Sequence, residues 1–207
     1  MSQFFAIHPE NPQLRLIRSA AKIVQEGGVI VFPTDSAYAI GCQLANKSAL
    51  DRIRLLRQLD ETHHFTLICR DLSELGTYAI VDNAAFRLLK AHTPGPYTFI
   101  LPASREVPKR LLHPKRKTIG LRVPDSKIIA ALLDELHEPL MSVSLVLPDQ
   151  EFPLVDAQDI FYVLGDEVDL IINGGPCSMI PTTIVDLVDG AHPQLLRVGR
   201  GDPKAFL

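Results

Sequence analysis

The feature that most constrains the fold is an alternation of short apolar runs with helix-like segments. The β-branched run at 29–32 is typical of a buried strand, and it follows a segment from Asn11 to Gly28 with apolar residues at helical spacing. A second helical pattern at 48–57 precedes further strand-like runs, which dominate the last third of the chain. This alternation predicts one α/β domain over residues 1–207, in which helices pack on a mixed β-sheet.

The composition argues against a membrane protein and against a metal centre. No apolar segment approaches the roughly 20 residues that a membrane span needs. The three cysteines, Cys42, Cys69 and Cys177, lie far apart without metal-ligand spacing, and the adjacent His63 and His64 have no third ligand beside them. The odd number of cysteines and the lack of a signal peptide predict a reducing, cytoplasmic location.

Charge is divided unevenly along the chain. Residues 1–127 carry 18 Lys and Arg against 11 Asp and Glu, whereas residues 128–196 carry 12 Asp and Glu and no Lys or Arg. The first part would therefore attract a polyanion, and much of the second would repel one. The alternative interpretation is an uneven surface without functional meaning.

A cluster of polar side chains, Thr34, Asp35, Ser36 and Tyr38, follows the strand predicted at 29–32. In open α/β sheets, ligands gather at the carboxyl ends of strands, where backbone amides and hydroxyl groups can bind a carboxylate or a phosphate. The alternative is an ordinary turn closed by the Asp35 side chain. The residues alone leave both interpretations open.

Five segments, in order along the chain, resemble motifs of the YrdC/YciO family. PTDSAYAIG at 33–41 is similar to the family's PTDTVYGLG, PGPYTFIL at 94–101 to PGPLTLIL, and GLRVPD at 120–125 to AVRVPD. PTTIVDL at 181–187 is similar to PSTIVDL, and LLRVGR at 195–200 to the final ILRPG. The resemblance covers most of a core at about 15–200, and its details fit the YciO branch.

The resemblance implies a YrdC-like fold, a twisted mixed β-sheet with flanking helices and a concave basic face. Active members of the family are threonylcarbamoyl-AMP synthases, which combine L-threonine, bicarbonate and ATP, release pyrophosphate and feed the modification of tRNA. Nucleotide (ATP with Mg²⁺) or an amino acid is therefore the implied small ligand, and no tightly bound cofactor is expected. Family members have also been described as binding double-stranded RNA. The residues predicted to bind the small ligand are Thr34, Ser36, Tyr38, Arg57, Arg122, Ser144, Thr183 and Arg197.

Arg122 admits two interpretations. It is either buried in an ion pair, with Asp35 or Asp186 as candidate partner, or directed at a bound anion. The sequence does not separate the two. Arg197 and Arg200 are expected to line the same groove.

Two motifs of the active members are altered in this chain. Arg57 stands in place of the Lys and Leu59 in place of the Arg of a K-x-R motif, and residues 60–61 are both acidic. Val146 stands in place of the Asn of a Ser-x-Asn pair, of which Ser144 remains. Attack on the α-phosphate of ATP needs cations against the leaving pyrophosphate, and loss of one such contact typically costs about 3–4 kcal/mol. Weak or lost synthase chemistry is therefore expected.

The segment 105–117, called here the basic segment, contains six Lys and Arg and one Glu. Such segments bind phosphate backbones through counterion release, and the lack of an aromatic residue favours recognition of duplex shape over base stacking. The alternative is a solvated loop. The predicted RNA-binding residues are Arg105, Lys109, Arg110, Lys115, Arg116 and Lys117.

The sequence leaves three functions open. The favoured one is a protein that binds nucleotide and RNA on a synthase fold with weak or altered chemistry, linked to tRNA modification or translation. The second is a working threonylcarbamoyl-AMP synthase. The third is a non-catalytic factor in translation or ribosome assembly whose pocket holds a metabolite.

Overall fold

The computed structural model describes residues 2–60, 63 and 65–207. Glu61 and His64, which figured in the predictions above, lie outside the described residues. The strands are β1 Gln3–Ala6, β2 Ile30–Phe32, β3 Ala39–Gln43, β4 Thr66–Ile68, β5 Tyr97–Pro102, β6 Thr118–Arg122, β7 Leu140–Ser144, β8 Leu170–Asn173, β9 Thr183–Asp186 and β10 Gln194–Arg197. The helices are α1 Leu14–Gln25, α2 Lys47–Arg57, α3 Leu72–Tyr78, α4 Asn83–His92, α5 Lys127–Leu136 and α6 Ala157–Leu164, with short 3₁₀ turns at Lys109–Leu111 and Pro203–Phe206.

The ten described strands form one sheet in the order β1-β8-β2-β3-β7-β4-β6-β5-β9-β10. The pairs β1–β8, β2–β8, β4–β6 and β5–β9 are parallel, and the other neighbouring pairs are antiparallel. The predicted mixed sheet with flanking helices is thus confirmed.

Side-chain caps begin several helices, as the sequence indicates. The Asn46 side chain accepts a hydrogen bond from the Ala49 amide before α2, and Ser126 accepts one from Ile129 before α5. The first helix is an exception, because α1 begins at Leu14 and its N-cap residue, Gln13, makes no side-chain capping bond. The Asn11 amide donates to Nδ1 of His8 and lies in the preceding loop.

The two faces of the sheet differ in character. One face carries the larger apolar core, in which strand residues such as Ile119 and Leu121 pack with side chains from α2, α4 and α6. On the other face, α1 and α5 pack over β2 and β8 through a second apolar cluster. That second cluster covers only part of its face, because the adjacent strands β7, β4, β6, β5 and β9 place polar residues there.

No helix in the described part of the chain is long and apolar enough to cross a membrane.

Candidate functional site

The uncovered part of the second face is called here the polar face. It is defined by polar side chains that alternate with core residues along the adjacent strands β7, β4, β6, β5 and β9: Thr66, Thr98, Thr118, Arg122, Ser142, Ser144 and Asp186. Ser142, Thr66 and Gly120 lie directly opposite one another in register, and the row continues through Ile100 to Asp186. A Cβ at Gly120 would stand 2.9 Å from Oγ1 of Thr66, so the centre of the row has no room for a side chain.

Arg122 brings the polar cluster after β2 onto this face. Its side chain is nearly buried, and its Nη2 group donates to Oγ1 of Thr34 at 3.1 Å, to Oγ of Ser36 at 2.9 Å and to the Asp35 carboxylate. The other Asp35 oxygen accepts from the Asp125 amide at 2.8 Å. The Asp35 ion pair, one of the two partners considered from the sequence, is therefore formed.

The turn after β2 is closed by Thr34 and not by Asp35. Oγ1 of Thr34 donates to the Ala37 carbonyl at 2.6 Å and accepts from the Ser36 amide at 3.2 Å. The alternative of an Asp-closed turn is thus wrong in its detail, because the Asp35 carboxylate is used by Arg122 and Asp125 instead.

Tyr38 has a structural position beneath this cluster. Its side chain is fully buried and its hydroxyl donates to the Gly175 carbonyl at 2.7 Å, and burial raises the pKa of that hydroxyl. Next along the same loop, the Ser178 amide donates to the Ser36 carbonyl at 2.8 Å. Tyr38 thereby helps to hold the segment 174–181 across the polar cluster, and a cavity of about 320 Å³ borders the loop beside Thr34.

Arg57 and Ser144 lie next to each other at the end of β7. Nε of Arg57 donates to the Ser144 carbonyl at 3.0 Å, and the following Leu145 amide donates to the Tyr38 carbonyl at 2.9 Å. The half-buried Arg57 has a lowered pKa because of desolvation. These contacts connect Arg57, through Ser144 and Leu145, to Tyr38, which follows the loop bonded to Arg122.

Arg197 binds Thr182 at the far side of the face. Its Nε and Nη2 groups donate to the Thr182 carbonyl at 3.0 and 2.9 Å, and the Thr182 hydroxyl shares a hydrogen bond of 2.9 Å with Thr98. Desolvation lowers the pKa of Arg197, and the nearby Arg122 lowers it further. Arg122 is paired with Asp35, so Arg197 is the arginine of the two that has no acidic partner in the described residues, and its charge is available to an anion on the polar face.

Thr183 is turned to the apolar core. Its hydroxyl donates to the Gly201 carbonyl at 2.6 Å and accepts from the Gly199 amide at 3.0 Å. Both bonds are internal, so the structure lends no support to the ligand contact predicted for Thr183. The preceding Thr182 lies on the polar face, and the alternation of the strand is the signal that distinguishes the two residues.

Two buried polar atoms on the polar face lack a hydrogen-bond partner in the described residues. They are Nε of Arg122 and Oγ1 of Thr118, whose side chain is 2% exposed. Buried polar groups are nearly always hydrogen-bonded, so each of these atoms calls for an explanation. A ligand bound on the polar face would supply the missing partners. Thr118 was not singled out from the sequence, where a threonine at the start of a strand is unremarkable.

The altered motif positions are apolar in the structure as well. Leu59 follows the end of α2, where its amide donates to the Arg54 carbonyl at 3.0 Å and its half-buried side chain packs against the larger core. Val146 is half-buried beyond β7. Neither position supplies a cation or a ligand oxygen.

The basic segment is anchored by apolar residues and exposes its cations. Val107 and Leu111 are buried in the larger core, whereas all six Lys and Arg of the segment are exposed. Arg110 donates to the Ala45 carbonyl just before α2, and Arg116 pairs with Asp186 on the polar face at 2.5 Å. Five of the six cations thus have no acidic partner in the described part of the chain.

Because its thiols are buried, we expect the protein to lose stability at alkaline pH. Burial raises the pKa of Cys177 from 9.0 to about 11 and that of Cys42 to about 12, and it raises the pKa of Cys69 as well. A thiol with a raised pKa in the folded state stabilises the fold fully below pH 9, and this contribution is lost as the pH rises toward the folded value. From pH 8 to pH 10 we expect each thiol to lower the free energy of unfolding by about 1.4 kcal/mol, measured by urea denaturation.

A Cys42→Ala variant is the control for this effect. It should lose about 1.4 kcal/mol less than the wild type between the same two pH values, whatever its stability at pH 8. An identical loss in both proteins would contradict the assignment of the effect to Cys42.

Comparison with known proteins gives one family. A family model described as "Telomere recombination", that of the Sua5/YciO/YrdC proteins, matches residues 22–199. YciO of Escherichia coli strain K12 is 58% identical over 207 residues, which is the whole of both chains, and its crystal structure has a TM-score of 0.97. The threonylcarbamoyl-AMP synthase of Idiomarina loihiensis is 34% identical over 174 residues, 81% of this chain and 91% of that one.

A more distant structure adds a ligand. The crystal structure of P. abyssi Sua5 complexed with L-threonine has a TM-score of 0.87 and 25% identity, and it matches over 96% of this chain and 58% of Sua5. The chain therefore belongs to the Sua5/YciO/YrdC family.

Proposed function

We propose that this protein binds a nucleotide on the polar face and double-stranded RNA on the basic segment. It acts in the cytoplasm in connection with tRNA modification or translation, and its threonylcarbamoyl-AMP synthase chemistry is weak or lost. The observation that carries the proposal is the pair of desolvated arginines, Arg122 and Arg197, beside the hydroxyls of Thr34, Ser36 and Thr182. Guanidinium and hydroxyl donors in such an arrangement suit a phosphate or a carboxylate.

The residues present fit ATP better than they fit a metal ion. Hydroxyl and guanidinium donors suit phosphate oxygens, and two of the three buried side-chain atoms without a partner among the described residues, Nε of Arg122 and Oγ1 of Thr118, lie on the polar face. The described residues contain no group of three His, Cys, Asp or Glu side chains that could hold a metal. Mg²⁺ would therefore be held mainly by the phosphates of the nucleotide, as is common for this ion.

We expect weak chemistry because the positions that supply a cation and a ligand oxygen in the active relatives do not supply them in this chain. Pyrophosphate carries developing negative charge, and a synthase stabilises that charge with preorganised cations. Nε of Arg57 is engaged with the Ser144 carbonyl, Leu59 packs on the core, and Val146 offers no oxygen. Each missing contact lowers the rate by about 10²–10³, while binding through Arg122 and Arg197 is unaffected.

The test compares turnover with binding. The protein is incubated with L-threonine, bicarbonate, Mg²⁺ and ATP, and pyrophosphate release is measured in parallel with the Idiomarina loihiensis synthase. We expect turnover at least about 100-fold lower, with ATP binding still detectable by calorimetry. A Leu59→Arg, Val146→Asn double variant should raise turnover by about 10-fold or more.

Leu55→Arg is the matched control for this variant. Leu55 lies on α2 with 82% of its side chain exposed, so the substitution adds the same charge four residues from Leu59 and should not change turnover. Wild-type turnover equal to that of the synthase would replace the proposal by an active enzyme. Absence of ATP binding would instead favour a non-catalytic factor without a nucleotide.

A further inference from the structure

Arg116 connects the basic segment to the polar face. Its Nη2 group lies 2.5 Å from Oδ2 of Asp186, and the two side chains differ sharply in exposure, at 44% for Arg116 and 6% for Asp186. One end of this ion pair is therefore in solvent within a cationic surface, and the other end is in the sheet. Arg110, in the same segment, bonds instead to the Ala45 carbonyl before α2.

Asp186 lies in the row of residues that crosses the polar face. It is opposite Ile100, which is opposite Gly120, so Asp186 is two strands or about 10 Å from Gly120. Its second oxygen accepts a hydrogen bond from the Val188 amide at 3.0 Å. On the next strand, Arg197 is opposite Ile184, two residues from Asp186. Gly120 is two residues from Arg122 on the same strand. Asp186 therefore lies at about one Debye length from the proposed phosphate site, close enough for a change in its ion pair to affect binding there.

We propose that Arg116 makes RNA and nucleotide binding mutually antagonistic, an inference that rests on the proposed function. An RNA phosphate at the exposed guanidinium of Arg116 competes with Asp186 for it. If the guanidinium leaves Asp186, a nearly buried carboxylate stays on the polar face with a backbone amide in place of a cation. If the guanidinium instead bridges the Asp186 carboxylate and the RNA phosphate, the phosphate brings its own negative charge close to the polar face. Both outcomes weaken binding of an anionic nucleotide nearby.

The coupling must work in both directions. If RNA weakens nucleotide binding by a given factor, nucleotide weakens RNA binding by the same factor. In a cell, the protein would release its nucleotide on binding a duplex, so that the two ligands are carried alternately and not together.

The experiment measures the dissociation constant of ATP by calorimetry in 50 mM salt, with and without a saturating 20-base-pair RNA duplex. In the wild type, RNA should weaken ATP binding by about 5- to 10-fold. In an Arg116→Ala, Asp186→Asn double variant, which removes the pair without leaving a buried charge, the RNA effect should fall below about 2-fold. Lys90→Ala is the control, since it removes an exposed cation outside the basic segment and should keep the coupling.

The outcomes separate this inference from the proposed function. A wild type that binds both ligands with no effect of one on the other overturns the coupling and leaves the proposed function intact. Coupling that persists unchanged in the double variant overturns the role of Arg116. A wild type that binds no ATP or no RNA overturns both proposals.

Discussion

An Arg122→Met variant should lose about 3–5 kcal/mol of its free energy of unfolding, because it leaves a buried charge without its partner. Arg122 is 6% exposed, and its guanidinium is bonded to Thr34, Asp35 and Ser36 at once. With the cation removed, the almost equally buried Asp35 carboxylate retains the Asp125 amide as a donor. Urea denaturation at pH 7 gives the difference, and ATP affinity of the folded fraction should fall with it.

Two controls test the cause of that loss. Arg70→Met removes an arginine from ion pairs with Asp71 and Asp134 that are exposed, so its cost should stay below about 1 kcal/mol. Adding Asp35→Asn to Arg122→Met removes the orphaned charge and should restore part of the stability. A loss below 1 kcal/mol for Arg122→Met alone would show that the ion pair does not anchor the loop after β2.

The fold could be predicted where periodicity and capping agree. Apolar residues at helical spacing predicted helices within 11–28 and 48–57, and α1 and α2 form there, the second with a side-chain cap from Asn46. Three elements, β1, α3 and β3, were missed for identifiable reasons. The strand β1 has only four residues with both ends exposed, and it depends on its pairing with β8. The helix α3 has Gly76 in its interior and one fully buried side chain, Leu75, so its amphipathic pattern is weak.

The strand β3 illustrates a different limit. All of its residues but the last are buried, so it shows no alternation, and it directly follows the polar cluster. Gly41 in its centre would normally argue against a strand. The structure explains the glycine, because a Cβ there would lie 3.0 Å from the ring of Phe32 and still closer to the Met141 carbonyl. That close packing is a tertiary contact that the local sequence does not show.

The site could be predicted as a set of residues but not as a set of contacts. The family motifs identified Thr34, Ser36 and Arg122 as candidate ligand-binding residues. In the structure, Arg122 donates hydrogen bonds to the hydroxyls of Thr34 and Ser36. The choice between Asp35 and Asp186 as partner of Arg122 depended on the path of the loop over the sheet. Asp186, the other candidate partner of Arg122, forms its ion pair with Arg116, a residue predicted to bind RNA. Such pairings arise from crossings between distant segments, which neither periodicity nor motif spacing encodes.

The basic segment should bind a duplex RNA with a steep dependence on salt. If all six cations of the segment, Arg116 included, each contact a phosphate, raising the salt from 50 to 200 mM should weaken binding by about 2,000-fold. A Lys109→Glu, Lys115→Glu, Lys117→Glu variant should retain about three contacts, so the same salt change should weaken its binding by only about 40-fold. At 50 mM salt we expect its affinity to fall by about 100-fold or more. Filter binding or anisotropy at several salt concentrations measures both quantities.

The matched control makes the same change of net charge elsewhere. Lys22, Lys90 and Lys127 are exposed lysines on α1, α4 and α5, and replacing all three by Glu should change RNA affinity by less than about 5-fold at moderate salt. Equal losses in the two triple variants would mean that RNA responds to net charge and not to the basic segment. Binding of the wild type that is independent of salt would contradict phosphate recognition altogether. A duplex held by the other five cations alone would leave the Arg116 pair with Asp186 undisturbed. An Arg116→Gln variant removes the charge, so a salt slope smaller than that of the wild type shows that Arg116 is one of the contacts.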